Sequence, residues 1–137
     1  MPLLIDTCLL PSPIHGLGLF AMEPIPAGTP IWAFDDRIDR ILVPDASMLR
    51  TYPTFARMTE SHGCVIAGLG LLMLGDDARF INHSDTPNVD LIAEGDWRAF
   101  KAARDIAAGE EITCDYEDIC DDVRTAGSDR YLETAFA

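Results

Sequence analysis

Residues 79–88 contain the side chains best suited to bind a polar small molecule. Within this segment an apolar stretch is followed by Asn82 and His83 and then by turn-forming residues. An asparagine side chain both donates and accepts hydrogen bonds, and a histidine can bind through its ring and its backbone, so the pair favours a polar small molecule over a metal ion. A purely structural role is the alternative, because loop Asn, Ser and Asp residues commonly close Asx-type turns.

Two other chemistries find little support. Ser84, His83 and Asp85 have the residue types of a hydrolase triad, but neighbouring residues on a strand or turn point in different directions. The three histidines show no metal-ligand spacing. The four cysteines are scattered without a C-x-x-C pair, which predicts neither a zinc knuckle nor a disulfide framework. We therefore expect no metal.

A pair of glycines, Gly16 and Gly18, precedes an apolar stretch near the start of the chain. Glycines at this spacing allow the backbone to approach a ligand closely. The segment lacks the third glycine and the following helix of a dinucleotide-binding site. A Gly-x-Gly pair alone is a weak signal of function.

Residues 105–122 are strongly acidic: they contain eight Asp and Glu residues and no Lys or Arg. This acidic run creates a negative field around Tyr116, the last residue of the segment 109–116. It is either a solvated rim that aids solubility or a surface that attracts a basic peptide. Charge alone does not separate these alternatives.

Length and composition limit the protein class. The chain has 137 residues, enough for one domain, and 10 Lys and Arg residues against 23 Asp and Glu give a formal charge of −13. Direct nucleic-acid binding is disfavoured, because a phosphate backbone would repel this charge. The uncharged stretch 65–75 is shorter than the ~20 residues of a membrane span, and no basic leader precedes an apolar segment. We expect a soluble, cytoplasmic protein without membrane contact.

The elements that position these residues are mainly short strands, because apolar segments are repeatedly broken by Gly, Pro or Asp. Residues 45–60 have helical spacing, with Asp45 or Ser47 as cap and Pro53 as a break. Residues 25–31 and 106–112 share Ile, Ala, Gly and Ile at the same offsets, which predicts two similar turns with glycine at positive φ. The candidate strands are residues 17–21, 30–34, 64–67, 71–74, 89–93, 97–102 and 112–116.

Taken together and in this order, residues 15–21, 79–88 and 109–116 resemble the SET-domain family of protein lysine methyltransferases. The size is similar to that of compact bacterial or viral members. The resemblance implies a mainly β, β-clip-like fold of small sheets with few short helices and a knot-like C-terminal threading. It also implies a single SET domain over residues 1–137, with a variable insert at about 35–75 and a post-SET-like tail without zinc at 118–137.

The resemblance implies S-adenosylmethionine as methyl donor, S-adenosylhomocysteine as product and no metal. Tyr116 matches the catalytic tyrosine. Cys114 stands where relatives often have Phe or Tyr, so we expect a roomier channel and products beyond monomethyl lysine. Tyr52 is the remaining candidate for a second channel tyrosine. The residues expected at the donor are Gly16, Leu17, Gly18, Arg79, Phe80, Asn82 and His83.

Many chromatin-acting relatives have a cysteine where this chain has Asp85, and they follow the domain with a cysteine-rich zinc module. Here only Cys120 follows Tyr116, so another segment must cover the donor. Our candidate is the tail 121–137, through Tyr131 or Phe136.

The function implied is methylation of lysine in a basic protein or peptide, histone-like or other. The alternative is a catalytically weak SET-fold module that binds basic proteins through its acidic face. The sequence leaves open the oligomeric state, including a homodimer, and a nuclear or host-directed role.

Overall fold

The computed structural model describes residues 3–66 and 69–118, which form short strands in three small sheets with two helices. The mainly β prediction is confirmed, whereas the knot-like threading stays a prediction. The elements are β1 Thr7–Pro11, β2 Leu17–Ala21, β3 Pro30–Ala33, β4 Arg40–Leu42, α1 Ala46–Thr51, α2 Pro53–His62, β5 Cys64–Ile66, β6 Gly70–Met73, β7 Asn82–His83, β8 Val89–Leu91, β9 Ala99–Ala102 and β10 Glu111–Cys114.

The four-stranded sheet, ordered β1-β2-β10-β7, carries all three sequence motifs and is called the motif sheet below. Strand β10 pairs antiparallel with β2 on one side and parallel with β7 on the other. The register places Thr113 opposite Asn82 and Cys114 opposite His83. Segments far apart in the chain are therefore adjacent within one sheet.

The two repeated segments pair with each other. Ile25 and Ile106 form an antiparallel bridge in which each amide donates to the other residue's carbonyl over 2.8 Å. Gly28 has φ of 84° and Gly109 has φ of 83°, so the predicted positive-φ turns are confirmed at both positions. Ile106 is buried with Leu19 and Ile112 in the main core. The two repeats are therefore paired in space as well as similar in sequence.

Residues 35–75, called the insert, contain a sheet ordered β4-β6-β5 and both helices. As predicted, Asp45 caps the first helix by accepting from the Met48 amide over 2.8 Å, and Pro53 begins a second helix. Leu71 and Met73 form a small core cluster of their own. The insert is therefore a satellite with its own apolar centre.

Three further observations concern the wider chain. Within the described residues no helix has the length and apolar character needed to cross a membrane. Cys8 and Cys114 are free thiols and Cys64 is disulfide-bonded, which the scattered cysteines did not predict. Tyr131 and Phe136, expected to cover the donor, lie outside the described residues.

Candidate active site

Tyr116 is fixed to the β7 segment through its backbone and its side chain. It begins a short 3-10 helix directly after β10. Its hydroxyl donates to the Ile81 carbonyl over 2.7 Å, and its amide donates to His83 Nδ1 over 3.1 Å. Burial raises the pKa of Tyr116 above its ordinary value. The phenol is therefore protonated at neutral pH and acts as a hydrogen-bonding group rather than as a base.

His83 is held in one tautomer. Because Nδ1 accepts from the Tyr116 amide, the proton of the neutral ring resides on Nε2, which donates to Asp85 Oδ1 over 3.0 Å. The Asp85 side chain is 98% exposed, so this contact contributes little energy. Packing also fixes the ring, which lies 5.3 Å from the Tyr116 ring.

Asn82 is buried and joins the first motif to the other two. Its Nδ2 donates to the carbonyls of His15 and Leu17 over 3.1 and 3.3 Å, and to Glu111 Oε2 over 2.9 Å. A buried amide without these partners would cost about 1–3 kcal/mol. The glycine segment is thus held beside β7.

Glu111 was not among the predicted site residues, because the acidic run was interpreted as surface. Its two carboxylate oxygens accept from the Ser12 hydroxyl over 2.8 and 2.9 Å. Ser12 lies 99 positions earlier in the chain. A Cβ on Gly18 would overlap Glu111 Oε2, so a larger residue here would displace the Glu111 carboxylate from its hydrogen bonds with Ser12 and Asn82. The sequence signal that Glu111 belongs to an ordered element was its position directly before the predicted strand 112–116.

Asn88, the last residue of the second motif, is also buried and ties its loop to β10. Its Nδ2 donates to the Glu111 carbonyl over 2.7 Å, and its Oδ1 accepts from the Thr113 amide over 2.9 Å. The sequence pattern predicted no site role for Asn88. Its role is to hold β10, and with it Tyr116, in register.

A cavity of about 100 Å³ adjoins Tyr116. Apolar cavities of a similar order admit small hydrocarbons, so an unbranched aliphatic chain can fit. Cys114 lies in its wall, and burial raises the pKa of this thiol, which is therefore protonated. Glu60 and His62 reach the same wall from the insert. The remaining wall is largely apolar and includes Ile31, Trp32, Leu72, Leu74, Ala78, Ile81, Val89 and Phe100.

Two other predicted residues, Arg79 and Tyr52, differ in whether they line this cavity. Arg79 lines the cavity, with its guanidinium carbon 4.9 Å from the centre of the Phe80 ring. Tyr52 is 59% exposed at the junction of the two helices and is not among the residues that line the cavity. Arg79 and Tyr116 therefore line the same cavity, whereas Tyr52 does not. Among the described residues, no group of three or more His, Cys, Asp or Glu side chains could hold a metal ion.

Comparison with known proteins finds a matching family model and a similar curated protein. The SET domain family model matches residues 16–117. The histone-lysine N-methyltransferase, H3 lysine-4 specific, of Yarrowia lipolytica is 34% identical over 116 residues, covering 77% of this chain and 10% of that protein. This chain therefore spans about a tenth of that curated relative's length.

Two solved structures illustrate the similarity in fold. The Neurospora SET domain protein DIM-5, a histone lysine methyltransferase, has a TM-score of 0.56 at 24% identity, covering 84% of this chain and 53% of that chain. A humanized mutant of the Chaetomium thermophilum Polycomb Repressive Complex 2, bound to the inhibitor GSK343, has a TM-score of 0.59 at 26% identity, covering 83% and 15%.

Proposed function

This chain belongs to the SET-domain family, and we propose on that premise that it transfers a methyl group from S-adenosylmethionine to the side-chain amine of a lysine. The observation that carries the proposal is the position of Tyr116, which lines a cavity and is hydrogen-bonded to the segment that contains Asn82 and His83. The name of the curated relative supports the same reaction class.

The residues of the motif sheet fit the donor. When bound, S-adenosylmethionine supplies an electrophilic methyl group on a sulfonium. We assign Gly16, Leu17 and Gly18 to backbone contacts with the donor. Asn82 and His83 would hold its amino-acid and adenine parts, and Arg79 and Phe80 would shape the cleft. The carboxylate of Glu111, between Ser12 and Asn82, suits a cationic ligand in this region. S-adenosylhomocysteine would be the product.

The cavity suits the lysine side chain. A lysine has an ordinary pKa of about 10.4 and must lose a proton before its nitrogen can act as a nucleophile. Apolar walls favour the neutral amine through desolvation. Because the Tyr116 hydroxyl already donates its hydrogen bond to the Ile81 carbonyl, the phenol oxygen can accept a hydrogen bond from an amine N–H. This contact orients the nitrogen lone pair, and alignment supplies much of the acceleration.

The small side chain of Cys114 determines how many methyl groups we expect on the product lysine. Cys114 is buried in the cavity wall where many relatives have Phe or Tyr. The space it leaves accommodates added methyl groups, so we expect products beyond monomethyl lysine. Mass spectrometry of a methylated peptide checks this, and strictly one added methyl group would contradict it.

The acidic run favours a basic protein as the substrate. Asp115, Glu117 and Asp118 lie beside Tyr116, and burial, followed by the charges of neighbouring carboxylates, raises the pKa of Asp118. The same face supports the second candidate function, a catalytically weak module that docks basic proteins. Binding of S-adenosylmethionine separates the two, because docking through the acidic face does not need the donor.

The test compares wild type with Tyr116→Phe on labelled donor and a mixture of basic proteins. We expect wild type to label a protein and the variant to lose about 10²- to 10³-fold in rate, the usual effect of deleting a catalytic hydrogen-bonding group. Calorimetry should show equal donor affinity for both proteins. Equal rates would overturn the role of Tyr116. A wild type that binds basic proteins without the donor and labels nothing would instead support the docking module.

A further inference from the structure

His62 is a titratable group in the cavity wall that the proposed function does not use. It is the last residue of α2, and its Nδ1 lies 3.2 Å from the Arg79 carbonyl oxygen. A carbonyl can only accept, so Nδ1 carries the proton of the neutral ring. Nε2 is then the nitrogen with the free lone pair. Among the described residues, none forms a hydrogen bond with it.

The environment keeps this ring neutral and fixed. Its edge-to-face contact with Phe80 has a centroid separation of 5.0 Å. Burial lowers the pKa of His62, and the charges of Arg79 and His15 lower it further, against an opposing contribution from the Arg79 carbonyl. At neutral pH the ring is therefore an unprotonated base.

The other titratable groups of the cavity wall are less suitable proton acceptors. Tyr116 and Cys114 are protonated because burial raises the pKa of both. Arg79 is a permanent cation. Glu60 offers a carboxylate, but an anion beside a bound ammonium stabilises the charged form of the lysine. A neutral imidazole provides no such stabilisation.

We propose that His62 Nε2 accepts the proton of a lysine ammonium bound in the cavity, an assignment that rests on the proposed function. In this step one N–H bond of the ammonium breaks and its electron pair stays on the lysine nitrogen. A new N–H bond forms at Nε2, which gives an imidazolium and a neutral amine. The imidazolium then releases the proton to water. The freed amine is the nucleophile that methyl transfer needs.

Three variants separate this role from a structural one. His62→Asn keeps an N–H donor near the position of Nδ1 for the Arg79 carbonyl but removes the base. His62→Phe keeps the ring against Phe80 and removes both nitrogens. Glu60→Gln removes the competing carboxylate. Circular dichroism and donor calorimetry establish that each variant folds and binds S-adenosylmethionine.

The main readout is kcat for a saturating lysine peptide between pH 7 and pH 10. Without the base, the bound ammonium is unproductive and turnover depends on amine that is already neutral. We expect both His62 variants to lose about 100-fold at pH 7, and the deficit to shrink about tenfold per pH unit until it disappears near about pH 9. A deficit that is constant with pH would overturn the proposal, as would a pH-dependent deficit in Glu60→Gln alone.

Nitrogen NMR of the wild type provides a readout other than activity. We expect the neutral Nδ1–H tautomer of His62 at pH 7, and a shift at Nε2 when a lysine peptide is added with S-adenosylhomocysteine. A norleucine peptide, which lacks the amine, should leave the signal unchanged. An Nε2–H tautomer would overturn the assignment. A wild type that methylates no protein overturns the proposed function and this role with it, whereas an active wild type matched by His62→Asn overturns only the role of His62.

Discussion

The motif sheet and the insert hold their residues in place by different means. In the motif sheet, Asn82 and Glu111 have hydrogen-bond partners from distant parts of the chain, up to 99 residues away. In the insert, apolar side chains pack in a small separate cluster, and Val43 is 73% exposed. The buried Asp39 is bonded only to insert amides among the described residues.

The contrast shows how the site divides its tasks. Hydrogen bonds are directional, so the bonds of Asn82 and the bonds of Tyr116 fix the positions of these two residues closely. Apolar packing is less directional, and a satellite cluster can change sequence without moving the motif sheet. The insert still supplies Glu60 and His62 to the cavity wall. Under the proposed function, the motif sheet would bind the donor and the insert would shape part of the cavity that takes the lysine side chain.

The largest effect should come from breaking the motif sheet with Asn82→Ala. The change leaves the carbonyls of His15 and Leu17 without this donor, and we expect the free energy of unfolding to fall by about 2–3 kcal/mol. Donor affinity should fall at least about tenfold, because the glycine segment is no longer anchored. Chemical denaturation and calorimetry measure the two effects.

The matched control for that variant is Thr86→Ala, which changes an exposed polar residue of the same motif. It should change unfolding by less than about 0.5 kcal/mol and leave donor affinity unaltered. If Asn82→Ala behaves like this control, the polar network does not position the donor side.

A smaller effect is expected from overpacking the insert with Gly75→Ala. The new Cβ would overlap the Ile38 carbonyl, and a backbone atom cannot move away as a flexible side chain can. We expect a loss of about 2 kcal/mol in the free energy of unfolding, with donor affinity retained. Gly95→Ala is the control, because Gly95 has φ of 74° with open space around it and should lose only about 1 kcal/mol. Loss of donor affinity in Gly75→Ala would show that the two regions are not independent.

The smallest expected effect is the pH dependence that Asp39 of the insert gives to the free energy of unfolding. Burial raises the pKa of Asp39 above its ordinary value of 3.8, so the folded protein binds a proton that the unfolded chain releases. Stability from this group therefore falls as pH rises from about 4 through the raised pKa. Other carboxylates titrate in the same range, so the quantity to compare is wild type minus Asp39→Asn. That difference in unfolding free energy should decrease over this range, and a difference that increases would contradict the assignment.

The sequence predicted β2 and β10 of the motif sheet and the helical segment, β5 and β6 of the insert, but it did not predict β1, β7 or β4. Asn82, His83 and Tyr116 belong to short patterns whose neighbours in sequence are also neighbours in the strands. The glycine turns at Gly28 and Gly109 have a similarly local cause. The role of Glu111 depends on Ser12, which is far away in sequence, and no local pattern contains that pairing.

The part of the cavity wall that the insert supplies was not predictable in the same way. Tyr52 was selected as an unassigned tyrosine, but it lies in the exposed junction between two helices. His62 reaches the cavity because α2 ends beside the segment that contains Arg79 and Phe80. Such a contact follows from how the insert packs on the motif sheet, which sequence spacing does not specify.

In the proposed mechanism, donor and lysine meet at Tyr116 from separate sides, the donor at the motif sheet and the lysine in the cavity. A crystal structure with S-adenosylhomocysteine and a lysine peptide would show both binding positions at once. We expect the lysine side chain between Trp32, Cys114 and Phe100, with its nitrogen in hydrogen-bond contact with the Tyr116 hydroxyl and S-adenosylhomocysteine against Gly16–Gly18 and Asn82. A peptide lysine bound outside this cavity, or S-adenosylhomocysteine bound away from Asn82, would contradict the account.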